Sequence, residues 1–245
     1  MLNVFYKFIS NFVFPKSKRK AFKEKYVKGH AVIKADMRNN DIRIPYNRNI
    51  KIIVIGKNNT IEIDKDLNIK SQITINLVGS NNFIKIGKAH AIIRLLMGTN
   101  DNREIYNSKF IFGDSYSNHV SYVMMENNTT IKIGDDCMFS TNIELRCTDD
   151  HVVLDDNGNV LNLAKSIEIG NHVWLCKDVM ILKNTTIPDG CIVGAKSVVA
   201  SKRFTQPNCS ICGNPAKVVK ERVHWNCSRP DLYKPDEISN THNNL

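Results

Sequence analysis

The run Cys147-Thr148-Asp149-Asp150-His151 places an imidazole next to two carboxylates in a polar stretch of the chain. A histidine near its unperturbed pKa of about 6.5 is largely neutral at pH 7 and can accept a proton from an attacking hydroxyl group. Either aspartate can fix the tautomer of the ring or raise its basicity. His151 is therefore a candidate general base. The alternative is a solvent-exposed loop histidine without a chemical role.

A second histidine, His172, lies two residues before Trp174. It is the rival candidate for the base, and we favour packing in a turn as its role. The indole of Trp174 offers one N–H donor and a broad apolar face, which suits contact with a bound ligand. One interpretation is a site role for Trp174. The alternative is an aromatic ring that covers an edge of the fold.

Cysteine and histidine also occur at a spacing that zinc sites use. Cys209-x-x-Cys212 is followed by His224-x-x-Cys227, and zinc prefers four nitrogen or sulfur ligands. Ordinary buried thiols are the interpretation that we favour, so we predict no metal.

Basic residues cluster near the end of the repeat region: Lys196, Lys202, Arg203, Lys217 and Lys220. Such cations can bind phosphate groups, and the alternative is a solvated basic surface.

The overall composition restricts the partners and the compartment. Lys and Arg number 34 against 24 Asp and Glu, which gives a formal net charge of +10 over 245 residues. This balance favours an anionic partner such as a phosphorylated cofactor, an acidic polymer or a membrane surface. No apolar run reaches the length of about 18 residues that a membrane span needs. The odd number of cysteines, seven, fits a reducing compartment, so we expect a cytoplasmic protein.

Aliphatic residues recur at every sixth position in the second half of the chain. The first series is Ile169, Leu175, Ile181, Ile187, Val193 and Val199. Two places before each lies a second series: Ile167, Val173, Val179, Thr185, Cys191 and Ser197. Shorter six-step runs occur upstream at Ile55, Ile61, Leu67 and Ile73, at Ile133, Phe139 and Leu145, and at Ile86 with Ile92.

A period of six matches neither an α-helix nor a simple strand, and it is typical of a β-solenoid in which three hexapeptides make one coil. We predict that stacking of these coils buries the aliphatic positions. Glycine follows the core residue at several places, which predicts tight corners that need backbone freedom. Examples are Gly56, Gly87, Gly134, Gly170 and Gly194.

The repeat is interrupted between Leu145 and Ile169. The polar segment 146–165 predicts a loop that leaves the solenoid, a place where chemistry is often found. Residues 1–29 combine an aromatic stripe with a lysine-rich run and predict a helix. This helix is either a peripheral membrane anchor or packed on the protein. We therefore divide the chain into a 1–29 extension, a 30–225 domain and a flexible 226–245 tail.

Residues 167–175, together with Ile187-Pro188-Asp189-Gly190 and Gly213-Asn214-Pro215-Ala216-Lys217, resemble the hexapeptide-repeat acyltransferases. The resemblance implies an all-β solenoid, a left-handed parallel β-helix with a short N-terminal helical extension and an excursion loop. Residues 130–225 are most similar to bacterial polysaccharide O-acetyltransferases, in particular those of polysialic acid capsules.

The same resemblance implies roles for individual residues. The segments around His151 and Trp174 match those that carry the catalytic histidine and an active-site tryptophan. The family implies acetyl-CoA as the donor, a homotrimer, and active sites between adjacent subunits. It also implies CoA contacts at Gly194, Ala195, Lys202 and Lys217. The chain departs from the family in having Cys176 where glycine is usual, and Ala200-Ser201 where relatives often carry Thr-Lys.

From residues and resemblance together, we expect an acetyl-CoA-dependent O-acetyltransferase that acts on a hydroxyl of a bacterial surface polysaccharide, in a capsule or a lipopolysaccharide. His151 would deprotonate the hydroxyl, which attacks the thioester directly. The expected partners are this polysaccharide or its sugar precursor, and no nucleic acid. Two alternatives stay open: an N-acetyltransferase of a nucleotide-linked amino sugar, and a non-catalytic solenoid scaffold.

Overall fold

The computed structural model describes residues 31–98 and 103–233 of the chain. These residues form short strands, and their one regular helical element is a 3-10 turn at Pro230–Leu232. The strands are β1 (Val32–Lys34), β2 (Asp41–Arg43), β3 (Ile50–Ile55), β4 (Thr60–Ile63), β5 (Gln72–Ser80), β6 (Phe83–Ile86), β7 (His90–Met97), β8 (Ile105–Tyr106), β9 (Lys109–Phe112), β10 (Tyr116–Met125), β11 (Thr130–Ile133), β12 (Met138–Arg146), β13 (Ile167–Ile169), β14 (Trp174–Leu175), β15 (Met180–Leu182), β16 (Thr185–Ile187), β17 (Ile192–Val193), β18 (Val198–Val199), β19 (Ser210–Gly213) and β20 (Ala216–Lys220).

Strands of successive coils pair in parallel, and each sheet runs along the solenoid axis. One sheet has the order β16-β13-β11-β9-β6-β4-β2. The other follows β1-β3-β5-β7-β10-β12-β14-β17-β19-β20, with β15 and β18 pairing beside it. The pairing of β20 with β19 is antiparallel and ends the stack. The predicted left-handed parallel β-helix is therefore confirmed.

The long strand β12 bends round a corner at Asn142, whose φ is +66°. We call the surface formed by the start of β12 with β14, β17 and β19 the first face. The second face consists of the end of β12 with β15 and β18. The third face is the seven-stranded sheet. A coil thus has three faces and three corners.

The hexapeptide prediction holds for the C-terminal coils. Trp174 pairs with Ile192, and Ile167 pairs with Thr185, each eighteen positions along the chain. This spacing equals three hexapeptides. All members of both six-step series from Ile167 to Val199 are buried inside the solenoid. Their summed burial is the main source of hydrophobic stabilisation at this end of the protein.

The prediction fails at two upstream positions. Ile55 is 49% exposed at the end of β3, and Ile92 is only half-buried while its neighbour Ile93 is buried. The physical reason is coil length, because Ile50 pairs with Ile73, twenty-three positions on. When the length of a coil is not a multiple of six residues, the inward-facing positions no longer coincide with the six-residue repeat. Strand alternation then selects the core residues instead.

A ladder of buried polar side chains closes one corner of the early coils. The Oδ1 atoms of Asn40, Asn59 and Asn82 each accept a hydrogen bond from a backbone N–H of the following coil at 2.9–3.0 Å. Their Nδ2 groups donate to backbone carbonyls of the same corner at 2.9–3.0 Å. Ser108 and Thr129 continue the buried column. The ladder satisfies backbone groups that the turns leave without strand partners.

A second ladder explains most of the glycines that follow core residues. Asp114 Oδ1 accepts the Lys88 backbone N–H, and the same contact repeats at Asp135, Asn171 and Asp189 with the preceding coil. A Cβ atom on Gly134 would lie 2.4 Å from Asn171 Oδ1. Close packing therefore requires glycine at positions 87, 134 and 170. The φ angles of Gly87, Gly134 and Gly170 are not positive, so backbone freedom is not the reason. Backbone freedom explains Gly56, whose φ is +124°.

Within the described residues, no helix is long and apolar enough to cross a membrane. The N-terminal helix and its membrane contact, predicted for residues 1–29, lie outside the described residues. The same is true of residues 234–245 of the predicted tail. The domain boundaries stay predictions.

The Asn ladder yields a stability prediction. Replacing Asn59 by Ala should lower the free energy of unfolding by about 3 kcal/mol, because the Gly79 carbonyl and the Asn82 N–H lose their partner in a buried site. Urea unfolding at fixed protein concentration measures this change. Asn76→Ala, at a half-exposed position of β5, is the control and should stay within about 0.5 kcal/mol of the parent. Equal losses in both variants would contradict the ladder's role.

Candidate active site

The excursion loop, residues 147–165, leaves the solenoid after β12 and returns before β13. Its two ends are joined by a hydrogen bond from the Lys165 N–H to the Cys147 carbonyl at 3.0 Å. An antiparallel bridge between Leu154 and Val160 makes its outer part a hairpin. Because β11 still pairs with β13 across the insertion, the loop does not disturb the stacking of the coils. The loop predicted from the sequence is present.

His151 lies on this loop, and its side chain is 83% exposed. Its Nε2 atom is 3.9 Å from Asp150 Oδ2, too far for a hydrogen bond. Asp150 instead forms an ion pair with Arg103 from an earlier coil. Asn162 Nδ2 donates to the His151 carbonyl at 2.8 Å and so fixes the backbone at this point. The loop thus presents the imidazole to solvent on a backbone that is held in place.

The solenoid anchors the loop through Lys183, which is largely buried at the neighbouring corner. Its ammonium group pairs with the Asp149 carboxylate and also donates to the Asn162 carbonyl at 2.7 Å. The hydrogen bond from Lys183 lowers the pKa of Asp149, and the hydrogen bond from Arg103 lowers the pKa of Asp150. Both carboxylates are therefore ionised and engaged by cations at neutral pH. They orient the loop and leave proton transfer to the imidazole.

Cys147 lies at the base of the same loop and cannot serve as its nucleophile. The side chain is buried, and burial raises its pKa to about 12. A thiol with this pKa stays protonated at neutral pH, whereas the thiolate is the reactive species. The loop therefore offers a base but no activated sulfur.

His172 is engaged on both sides of its ring. Nδ1 lies 2.7 Å from Asp136 Oδ2, and Nε2 lies 3.2 Å from the Trp225 carbonyl oxygen. Both ring nitrogens therefore face groups of the protein itself, and neither is directed at a substrate. The ring also stacks on Trp225, with centroids 4.1 Å apart. This geometry supports the packing role that the sequence favours for His172.

Trp174 is half-buried on the first face, and the adjacent Leu175 points into the core. Its ring lies 5.9 Å from that of Trp225 at an angle of 46°. Trp225 is also fixed by a hydrogen bond from its Nε1 to the His172 carbonyl at 2.9 Å. Sequence reasoning missed Trp225, because it stands outside the repeat in a polar segment. The only available signal was a second tryptophan in the chain.

The two predicted catalytic residues lie on different faces of one chain. Trp174 pairs with Met138 at the start of β12, on the first face. The loop with His151 begins after Arg146, at the far end of the second face. The bend of β12 separates these two positions. Among the described residues, the structure therefore shows no contact between His151 and Trp174 within one chain.

The predicted CoA contacts fall into two groups. Gly194 stacks directly on Cys212 of the next coil, and Lys217 pairs with Cys212 across the β19–β20 hairpin. Gly194, Ala195 and Lys217 are thus neighbours at the corner that follows the first face. Lys202 lies at another corner, where its carbonyl accepts the Thr186 N–H at 3.1 Å. The structure brings three of the four residues together.

The cysteines at zinc-like spacing do not form a cluster. Cys209 is buried, and its sulfur faces the Pro207 carbonyl. In residues 31–98 and 103–233, no group of three or more His, Cys, Asp or Glu side chains could hold a metal ion. Cys176, which replaces the family's usual glycine, is a partly buried thiol whose pKa burial raises to about 11.

The anchoring of the loop can be tested through Lys183. In Lys183→Met, hydrogen exchange in residues 147–165 should accelerate, because the loop loses its tie to the solenoid. In the parent, protection should persist at neutral pH and be lost as the pH falls through the lowered pKa of Asp149. Lys196→Met, which removes an exposed ion pair with Asp178, is the control and should leave the loop unchanged. Unaltered exchange in Lys183→Met would refute the anchor.

Comparison with known proteins identifies relatives. No model of a known protein family matches the chain. A polysialic acid O-acetyltransferase of Neisseria meningitidis is 36% identical over 177 residues, which cover 71% of this chain and 79% of that protein. A protein of the same name from Escherichia coli O1:K1 is 28% identical over 119 residues, 48% of this chain and 38% of the relative.

Two solved structures share the fold. The polySia-specific acetyltransferase NeuO superposes with a TM-score of 0.64 at 24% identity, covering 84% of this chain and 85% of that one. The polysialic acid O-acetyltransferase OatWY superposes with a TM-score of 0.53 at 29% identity, covering 79% and 96%. Together with the match to the Neisseria protein, these findings establish the relationship. The chain belongs to the family of hexapeptide-repeat acyltransferases that contains the polysialic acid O-acetyltransferases.

Proposed function

We propose that this protein transfers an acetyl group from acetyl-CoA to a hydroxyl of a bacterial surface polysaccharide, such as a capsule or a lipopolysaccharide. Two of its relatives are named polysialic acid O-acetyltransferases, and a sialic acid-containing polymer is the acceptor that we favour. The observation that carries the proposal is an exposed imidazole on an anchored loop, in the fold of the hexapeptide-repeat acyltransferases. The net charge of +10 suits both an acidic polymer and the phosphates of CoA.

In the proposed reaction, His151 takes the proton of the attacking hydroxyl as the oxygen bonds to the thioester carbonyl carbon. The carbon–sulfur bond then breaks, and the imidazolium returns the proton to the departing thiolate of CoA. The transfer is direct, which fits the protonated, buried state of Cys147. Lys217, beside Gly194 and Ala195, would contact the cofactor at one corner. Lys202 would contact it near the loop.

We further propose that the active site is shared between copies in a homotrimer. His151 and Trp174 lie on different faces of one chain, so a second copy is needed to unite them. The loop also carries exposed apolar side chains that suit a contact with a neighbouring subunit: Val152, Val153, Leu154, Leu161 and Leu163. We place the enzyme in the cytoplasm, the compartment favoured by its cysteine content.

Replacement of His151 tests the proposed base. His151→Ala should lower kcat by about 10²- to 10⁴-fold, the span expected for loss of general-base catalysis, with little change in the Kd of acetyl-CoA. Release of CoA with a panel of polysaccharides and amino sugars measures the turnover. If His172→Ala abolishes activity while His151→Ala does not, the base is wrongly assigned. If the parent neither binds CoA nor turns over any acceptor, the scaffold alternative is favoured.

Mixed oligomers test the shared site. His151→Ala and Trp174→Ala should each have low activity alone, because every site then lacks one of its two residues. Co-expression of both variants should restore part of the activity, since some interfaces in the mixed trimers then hold an intact His151 and an intact Trp174. Sedimentation should show a trimer. A fully active monomer, or no recovery in mixed trimers, would contradict the arrangement.

A further inference from the structure

A column of half-buried ring and thioether side chains runs along the first face, outside the solenoid. His90 pairs with Tyr116, Tyr116 with Met138, and Met138 with Trp174, so one member comes from each of four successive coils. We call these residues, His90, Tyr116, Met138 and Trp174, the outer column. The residue after each one is buried, so by strand alternation the column points outward.

The rings of this column form a continuous surface. The His90 and Tyr116 rings stack with centroids 4.9 Å apart and planes 15° from parallel. At the other end, Trp174 packs against Trp225. On the third face, the aligned outward column through Lys85, Ile111, Lys132 and Glu168 is mostly charged. The outer column is therefore a continuous run of rings and a thioether, whereas the aligned column on the third face is mostly charged.

Polar groups border the stripe on one side. The Tyr116 hydroxyl donates to Asn118 Oδ1 at 2.9 Å, and the Nδ2 group of this exposed side chain has donor capacity toward a ligand. Ser140 and Cys176 follow at the outward positions beside Met138 and Trp174, and their small side chains leave space next to the rings. An apolar stripe with hydrogen-bonding groups along its edge matches a sugar ring, which has a C–H face and a rim of hydroxyls.

The dimensions of the column match a chain of sugars. Four coils separated by the usual strand spacing of about 4.8 Å give a length of about 14 Å, room for roughly three pyranose rings in line. The column also reaches Trp174, the residue proposed to lie in the active site, and the next position in register is Ile192. A polymer on the column would therefore lead directly to the place of acetyl transfer.

We infer that the outer column binds an extended segment of the acceptor glycan, with sugar rings stacked along the solenoid axis upstream of the sugar that is acetylated. The inference rests on the proposed function and extends it. It makes the protein an enzyme that selects polymers over single sugars. The selecting residues, His90 and Tyr116, lie three and two coils away from Trp174, respectively.

The test compares a long and a short acceptor. In a His90→Ser/Tyr116→Ser variant, the KM and the calorimetric Kd for size-fractionated polysialic acid should rise about tenfold, the loss expected for two stacking contacts. The kcat on a sialic acid monomer and the KM for acetyl-CoA should not change. Tyr116→Leu, which keeps apolar surface but removes the ring, should give a smaller rise in the same direction.

Phe83→Ser is the matched control. Phe83 is a half-buried, outward aromatic residue of the same coil as His90, but it lies on the third face. It should leave the KM for both acceptors unchanged.

Three results would overturn the inference. They are an unchanged polymer KM in an active protein, an equal loss on monomer and polymer, and a changed sedimentation coefficient that marks the column as a contact between copies. If the parent protein does not acetylate polysialic acid of any length, the proposed function fails with this acceptor, and the inference fails with it. Failure of the function is thus distinguished from failure of the column by the activity of the parent.

Discussion

The rest of the structure depends on one constraint: every coil must return to the same register after each corner. A corner turns the chain from one face to the next within two or three residues, which requires left-handed backbone angles and leaves peptide groups without strand partners. Asn58, Asn81, Asn107, Asn128 and Asn184 adopt positive φ at equivalent corners, and asparagine tolerates this conformation better than most residues. The buried side-chain ladder then pairs the remaining groups. The register that the corners set between successive coils therefore aligns both the outer column and the core residues.

The same constraint explains how a long loop can be inserted without disturbing the stacking of the coils. Met138 pairs with Trp174 and Glu144 with Met180, thirty-six positions on, whereas the next coil repeats after eighteen. The excursion loop accounts for the difference between these two spacings and is closed at its base by one backbone hydrogen bond. Lys183, at the equivalent corner of the next coil, binds the loop by its side chain. The solenoid thus holds the loop with the reactive imidazole through contacts that take no part in the stacking of the coils.

The sequence predicts the fold well where coils have eighteen residues and poorly where they do not. Every six-step position from Ile167 to Val199 is buried, because the repeat and the coil have the same phase. Ile55 and Ile92 fail since the upstream coils differ in length, and no local signal reveals those lengths. The loop with His151 is visible as a polar interruption. The outer column is not visible, because its members are separated by unequal intervals that only the strand pairing relates. Trp225 likewise acquires meaning only through its contacts with His172 and Trp174.

The antiparallel strand β20 has a consequence for assembly. A solenoid built of parallel strands ends in a row of unpaired N–H and C=O groups, which is a template for adding further strands from other molecules. Here the chain folds back after Gly213, and β20 covers the edge of β19. Its outer residues are exposed and include Lys217 and Lys220, whose charges repel a like surface. On the first face, addition of a further strand from another molecule is therefore hindered at this end of the solenoid.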